Sequence, residues 1–267
     1  MKKDKKIKGS HIVIVGAGPS TKKYWDKIEK FIKDNNAITF GCNNISNIFI
    51  PDYHIWGSPQ RWREFGHLVN ENSKFVFRGN FDKKIIRERW GGPYIMMNNV
   101  ERRWEPGFED EKSEQFKRCC VRYKNKKMYG CFKHVGVTCT FWAYVQGASR
   151  ISIVGNDGYT LYAKDSLKDK TCSQHCYGSG FTDGFTYEYC LKRDMDRYRT
   201  LRLLYKYCKK KYGFGFEFIT PTIFNDFYNP DVLDIKEKYE WEEPSLKDYK
   251  YIMKNYMKNR KLDKYNL

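Results

Sequence analysis

Gly16-Ala-Gly18-Pro-Ser20 follows directly on the run His11-Ile-Val-Ile-Val15. Glycines at that spacing let a backbone approach a phosphate, and a following helix start offers N–H groups and a positive dipole end. The block is not the dinucleotide fingerprint Gly-x-Gly-x-x-Gly, because Thr21 stands at the third glycine, and no Gly-Lys-Ser/Thr follows to make it a Walker loop. A simple turn is the competing reading. Asn43 and Asn44 close the next strand-like run, and each amide both donates and accepts, which suits a base or ribose edge as well as a turn pair. Asp157, within Gly155-Asn-Asp-Gly-Tyr159, has the chemistry to hold a ribose hydroxyl or a metal, to act as a general base, or to cap a helix or turn. His175 is the candidate proton acceptor, with an ordinary pKa of ~6.5, and Asp183 and Asp157 stand behind it. Cys172-x-x-His175-Cys176 carries zinc-type ligands, but the spacing is too compact for a knuckle and needs Cys190 or another distant thiol as fourth ligand, so no metal site is assigned.

The elements that must position these residues alternate. Residues 11–15, 37–40, 53–56, 74–77 and 150–154 are β-branched or aromatic runs that predict strands. Tyr24, Trp25, Ile28, Phe31 and Ile32 recur at spacings of three and four, which predicts a helix with one buried stripe. Residues 138–146 read as a helix buried on most sides, 192–212 as a long helix and 216–219 as a last strand. Residues 80–130 show no period and read as irregular, and the polar, glycine-bearing stretch 160–186 reads as a lid. The expectation is therefore an α/β fold: a single Rossmann-like domain with a mostly parallel sheet, a lid and a C-terminal helical extension. The boundaries are a basic arm at 1–10, a principal α/β domain at 11–230 that includes a lid near 160–190, and a basic helical tail at 231–267. In such a sheet ligands sit beyond the carboxyl ends of the strands, where these glycines, asparagines and Asp157 fall.

Composition bounds the function. Fifty Lys+Arg against 32 Asp+Glu give a net charge of +18, while 40% hydrophobic residues suffice for a core and exclude wholesale disorder. No apolar run reaches the ~20 residues of a bilayer-crossing helix, and the opening Met1-Lys-Lys-Asp does not read as a signal peptide. A cytoplasmic protein with reduced thiols is expected, Cys119-Cys120 included. Basic residues interleaved with Trp and Tyr from Arg87 to Arg103 raise a second reading, a nucleic-acid groove without catalysis, although no nucleic-acid motif accompanies them. In 247–262, Tyr249, Ile252, Met253, Tyr256 and Met257 form an apolar stripe opposite Lys250, Lys254, Lys258 and Lys261, which suits either docking on the sheet or an anionic membrane surface. A homo-oligomer is compatible with all of this.

The blocks Val15-Gly-Ala-Gly-Pro-Ser20, Gly41-Cys-Asn-Asn44, Gly136 opening a helix that closes at Gly147, Ile153-Val-Gly-Asn-Asp-Gly-Tyr159 and Tyr162-Ala-Lys-Asp165 resemble the bacterial sialyltransferases of glycosyltransferase family 42. Their order and spacing match over roughly residues 11–230, and Ile219-Thr-Pro221 with Asn225-Asp-Phe227 extends the likeness. The resemblance implies a glycosyltransferase that moves a sugar from a nucleotide donor, a CMP-sugar, to a glycan or glycolipid, with no further cofactor. It implies Gly18, Ser20 and Asn43 as nucleotide contacts, with Gly16, Asn44, Ser58 and Gly136 completing the set, and Tyr159 and Tyr162 steadying the leaving phosphate. Departures are Ala17 for an asparagine, Val135 for a serine, Ser58 near the place of another asparagine, and Ser179 after His175-Cys-Tyr-Gly178, where a histidine is expected. The Gly-Pro-Ser opening also resembles pterin diphosphokinase-like and flagellin-glycosylating proteins, so an ATP enzyme needing divalent metal is the alternative. Family 42 tails are basic and linked to peripheral membrane attachment, which implies the inner membrane face as a location.

Overall fold

The computed structural model describes residues 6–102, 112–161 and 187–245, together with 247, 248, 250, 251 and 254 of the tail. Its centre is a 7-stranded, all-parallel sheet of order β10-β9-β1-β2-β3-β4-β5. The strands are β1 (His11–Val15), β2 (Ile38–Cys42), β3 (Tyr53–Trp56), β4 (Lys74–Phe77), β5 (Ile95–Met96), β9 (Arg150–Val154) and β10 (Glu217–Phe218). The protein is an α/β, Rossmann-like single domain.

Both faces of the sheet are covered, and this is why the strands read as continuous apolar runs rather than alternating ones. Along β1 the two-residue period sends Ile12 and Ile14 into one core cluster and Val13 and Val15 into another. The first core contains the helix α6 (Val135–Val145), buried from Val137 to Tyr144, and takes Tyr198, Leu201, Leu204 and Cys208 from α7 (Tyr187–Tyr212). The second core takes Ile28 from α2 (Trp25–Asp34). Near β3 and β4, Trp56, Phe75 and Phe77 meet Trp62 of α3 (Pro59–Phe65) and Ile86 of α4 (Lys83–Arg87).

Three expectations need correction. The stretch 80–130 is not irregular where described: besides α4 and β5 it holds α5 (Glu114–Cys119) and a 3-stranded sheet of β6 (Asn99–Glu101), β8 (Lys127–Gly130) and β7 (Arg122–Lys124). Elements of two to six residues are too short to show a period. Asn125 and Lys126, at φ 51 and 58, make the tight turn between β7 and β8. The helix after the glycine block is two pieces, α1 (Pro19–Lys23) and α2, broken at Tyr24. Residues 231–245 are no helical tail but a strap with one short 3-10 turn. Glu237 pairs with Lys23 and Tyr24, Lys27 donates to the Leu233 and Asp234 carbonyls, and Glu243 and Asp226 hold Arg202 of α7. Tyr249, Ile252, Met253, Tyr256, Met257, Lys258 and Lys261, and nearly all of the expected lid, lie outside the described residues. Among the described residues no helix is long and apolar enough to cross a membrane.

Phe40 of β2 is fully buried with ring centroids 5.3 Å from Tyr53 and 5.1 Å from Trp142 of α6, so it joins the sheet to the helix that roofs it. Phe40→Ala is expected to lower unfolding free energy by about 3–5 kcal/mol, read by denaturant titration.

Candidate functional site

The loops after β1 and β9 are locked together. Ser20 donates to Asp157 twice, from its backbone N–H to Oδ2 at 2.8 Å and from its hydroxyl to Oδ1 at 2.5 Å. Both side chains are almost fully buried, at 1% and 2% exposure. Thr220 Oγ1 stands 3.1 Å from the same hydroxyl and accepts the Gly155 N–H. Gly16 N–H donates to Val154 and Gly18 N–H to Gly155. A Cβ at Gly16 or Gly18 would strike the Gly155 carbonyl, and Gly155 itself sits at φ +63.

This geometry revises the reading of the glycine block. Its glycines are small because another stretch of backbone presses on them, and the start of α1 already has an anion, the Asp157 carboxylate. Ser20 is consumed by that contact and does not line the cavity described next. Asp157 reaches the cavity wall, but its two oxygens are the acceptors for Ser20, so it acts as the clamp rather than as a general base. A local cap was the other reading open from sequence; the carboxylate instead reaches the start of a helix 137 residues away in the chain.

Beside this clamp, over the carboxyl ends of β1, β2, β3 and β9 and the start of α6, lies a cavity of about 380 Å³. Of the residues singled out in the sequence, Gly16, Gly18, Asn43, Ser58, Gly136 and Tyr159 line it. Asn44 does not: its side chain is buried behind the wall. Tyr162 and His175, like Cys172, Cys176 and Asp183, lie outside the described residues.

Asn43 is the best-positioned polar group of the expected set. At φ 51 it adopts a left-handed conformation that asparagine tolerates well. Its Oδ1 accepts the Gly57 N–H at 3.0 Å, and its backbone carbonyl accepts from His54 Nε2 at 2.6 Å. With Oδ1 occupied, the Nδ2 donors remain for a ligand acceptor. A carbonyl only accepts, so His54 carries its proton on Nε2. The ring lies between Trp56 and Phe75, and burial pushes its pKa down to about 4, with the Asn43 bond a smaller opposing effect. Ser58 caps α3 by accepting the Arg61 N–H at 3.3 Å.

The wall carries residues the sequence did not single out. Arg61, Arg78, Lys133, Arg193 and Arg197 line the cavity, against two carboxylates, Glu101 and Asp157. Arg78 pairs with Glu101, and Arg61 with Glu64. Lys133 stands 3.7 Å from Asp196, which also holds Lys192 at 2.7 Å; burial and Lys192 together lower the Lys133 pKa. Arg197 donates to Asn156 Oδ1 and to His134 Nδ1, each at 2.8 Å. Signals for some of these existed: Arg78 follows the last residue of β4, Lys133-His134 precede α6, and Asn156 neighbours Asp157. Arg193 and Arg197, one turn apart on α7, were masked by its apolar stripe.

In the Arg87–Arg103 region, where described, the half-buried Trp90 and Tyr94 rings each have a core aromatic as neighbour. Trp90 packs on Phe75 at 4.4 Å and Tyr94 on Phe77 at 5.7 Å, while Arg87 caps the Trp90, Gly91 and Gly92 carbonyls. Cys42, Cys139 and Cys208 are buried thiols, and no group of three metal-ligating side chains gathers among the described residues. No protein-family model matches the chain, and no curated protein matches it.

His11 is likewise held near 4, by burial and then by Arg150, and burial also lowers His134 well below its usual value. These folded-state values lie below the unfolded 6.5, so the unfolded chain binds more protons between pH 6.5 and 4. Stability is therefore full above about pH 6.5 and declines as pH falls toward 4. His54→Phe is expected to reduce that slope by up to about 1.4 kcal/mol per pH unit, measured by urea unfolding at stepped pH.

Proposed function

We propose that the chain is a glycosyltransferase that moves a sugar from a nucleotide donor, a CMP-sugar, to a glycan or glycolipid acceptor. The observation that carries this reading is the cavity at the strand ends, with five cationic side chains on its wall and Asn43, whose Oδ1 is held by the Gly57 N–H, among its lining residues. An anionic nucleotide fits that wall, and the Asn43 Nδ2 donors suit an acceptor atom on the base or ribose. The family 42 resemblance supports the donor class.

In the reaction the acceptor hydroxyl oxygen bonds to the anomeric carbon as the bond from that carbon to the phosphate oxygen breaks. The bonding pair leaves with the phosphate as nucleoside monophosphate, and the hydroxyl proton passes to His175. Tyr159 and the cationic wall meet the charge that grows on the departing phosphate. No cofactor beyond the donor enters these steps. The chain works on the inner membrane face, held through 247–262, of which Lys247, Lys250 and Lys254 are described.

The direct test is release of CMP from a CMP-sugar in the presence of glycan or glycolipid acceptors. Asn43→Gly keeps the left-handed backbone and removes the amide, so it is expected to weaken CMP binding by about 0.5–1.5 kcal/mol, roughly 2- to 12-fold, while the Gly57 N–H that loses its acceptor lowers stability by about 1–3 kcal/mol without loss of the fold. Unchanged CMP affinity, or AMP release from ATP instead, would reject the assignment. For the membrane, the full chain is expected to sediment with anionic but not neutral vesicles, and a chain ending at Ser245 with neither. Equal sedimentation of the two chains would reject the anchor.

A further inference from the structure

One side of the cavity is built from donors that have no acceptor among the described residues. His134 Nε2, Arg197 Nε and Asn156 Nδ2 are buried without a hydrogen-bond partner. Arg193 lies over the rings of Tyr159, at 4.8 Å, and Tyr189, at 5.6 Å, and makes no hydrogen bond or ion pair among those residues. Buried donors are rarely left unpaired, so a group of them on one wall calls for oxygen atoms.

The polarity of each donor is settled by its neighbour. A guanidinium only donates, so His134 Nδ1 must accept from Arg197 and the ring proton sits on Nε2. The same argument gives Asn156 Oδ1 to Arg197 and leaves Nδ2 as the donor. Arg197 is thereby fixed, and its ring neighbour Tyr159, 4.7 Å away, also carries Arg193. Asp194 stands 3.9 Å from Arg197 but is not on the cavity wall; its Oδ2 accepts the Thr160 N–H and hydroxyl.

We propose that His134, Asn156, Arg193 and Arg197 form the seat of the donor's phosphate, with His134 acting as a neutral N–H donor. This rests on the nucleotide-donor reading above. Two guanidiniums select an anion over water, and four side chains suit a group with several oxygens better than a carboxylate with two. The phosphate gains a negative charge as the sugar leaves, and donors held in a buried wall need no reorientation to meet it. The groups facing the His134 ring are Arg197 and Arg193 from α7, Lys133 beside it, Arg78 after β4 and the Tyr159 ring at 5.9 Å. Burial and these four cations hold His134 neutral, so it donates without giving up its proton.

Calorimetric titration of the full chain with CMP and with cytidine separates the phosphate from the rest. Arg193→Met and His134→Ala are each expected to weaken CMP about tenfold or more while cytidine changes less than about twofold, and His134→Gln, which keeps a neutral N–H, recovers part of the loss. Wild-type CMP affinity is expected to rise with ionisation of the phosphate, near pH 6, and stay level to pH 8. Equal losses for CMP and cytidine, no loss for CMP, or an affinity that falls through pH 6–7 in the wild type but not in His134→Gln would each overturn the assignment. Should His134→Ala fail to fold by circular dichroism, Arg193→Met decides, because its side chain is partly exposed. If the wild type binds neither CMP nor cytidine, the proposed function falls, and inorganic phosphate tests the seat. Broadening of its ³¹P signal by the wild type but not by Arg193→Met supports the seat, and no broadening by the wild type overturns it.

Discussion

The carboxylate of Asp157 fills the place at the start of α1 where an open α/β sheet commonly receives a ligand's phosphate. Order β9-β1-β2 makes the gap between β1 and β9 the point where the chain reverses its direction across the sheet. Here the Ser20–Asp157 bonds, the Thr220 hydroxyl and the contacts of Gly16 and Gly18 with residues 154 and 155 close that gap. The open space lies toward β2, β3 and α6, and its cationic side chains come from α7, from the residue pair before α6 and from the strand ends, rather than from backbone N–H groups at a helix start. A peptide N–H is fixed by the fold, whereas an arginine must be held, and the rest of the site does the holding.

That holding involves ions taken out of water. Lys192 and Asp196 pair at 9% and 3% exposure, and Arg197 lies 3.9 Å from a fully buried Asp194. Such pairs add little net stability, since loss of hydration cancels most of their attraction. Their effect is positional: Asp194 ties α7 to Thr160, and Asp196 ties it to Lys133 at the head of α6. Two cationic helix positions thus face the cavity in a fixed relation to the loop after β9.

Much of the fold was legible because burial on both faces makes a parallel strand a run of apolar residues. The strands at 11–15, 53–56, 74–77 and 150–154 and the helix near 138–146 carry that mark. The small sheet around 99–130 was not legible, since three- and four-residue strands show no pattern. Neither was the Ser20–Asp157 pairing, which joins positions 137 residues apart; from sequence, each looked like a ligand-binding group in its own right. Arg193 and Arg197 were hidden for a related reason. Charged residues inside a helix normally mark its wet face, and only the packed molecule shows Lys192, Asp194, Asp196 and Arg197 to be buried.

The central position of β1 bears on how the chain is made. β1 pairs with β2 on one side and with β9 on the other, and β9 leaves the ribosome roughly 140 residues after β1. At about 5–20 residues per second, the most apolar edge of the nascent sheet waits about 7–28 seconds for its partner. During synthesis, a half-sheet of β1 to β5 therefore exposes a bare strand edge of the sort that recruits other chains.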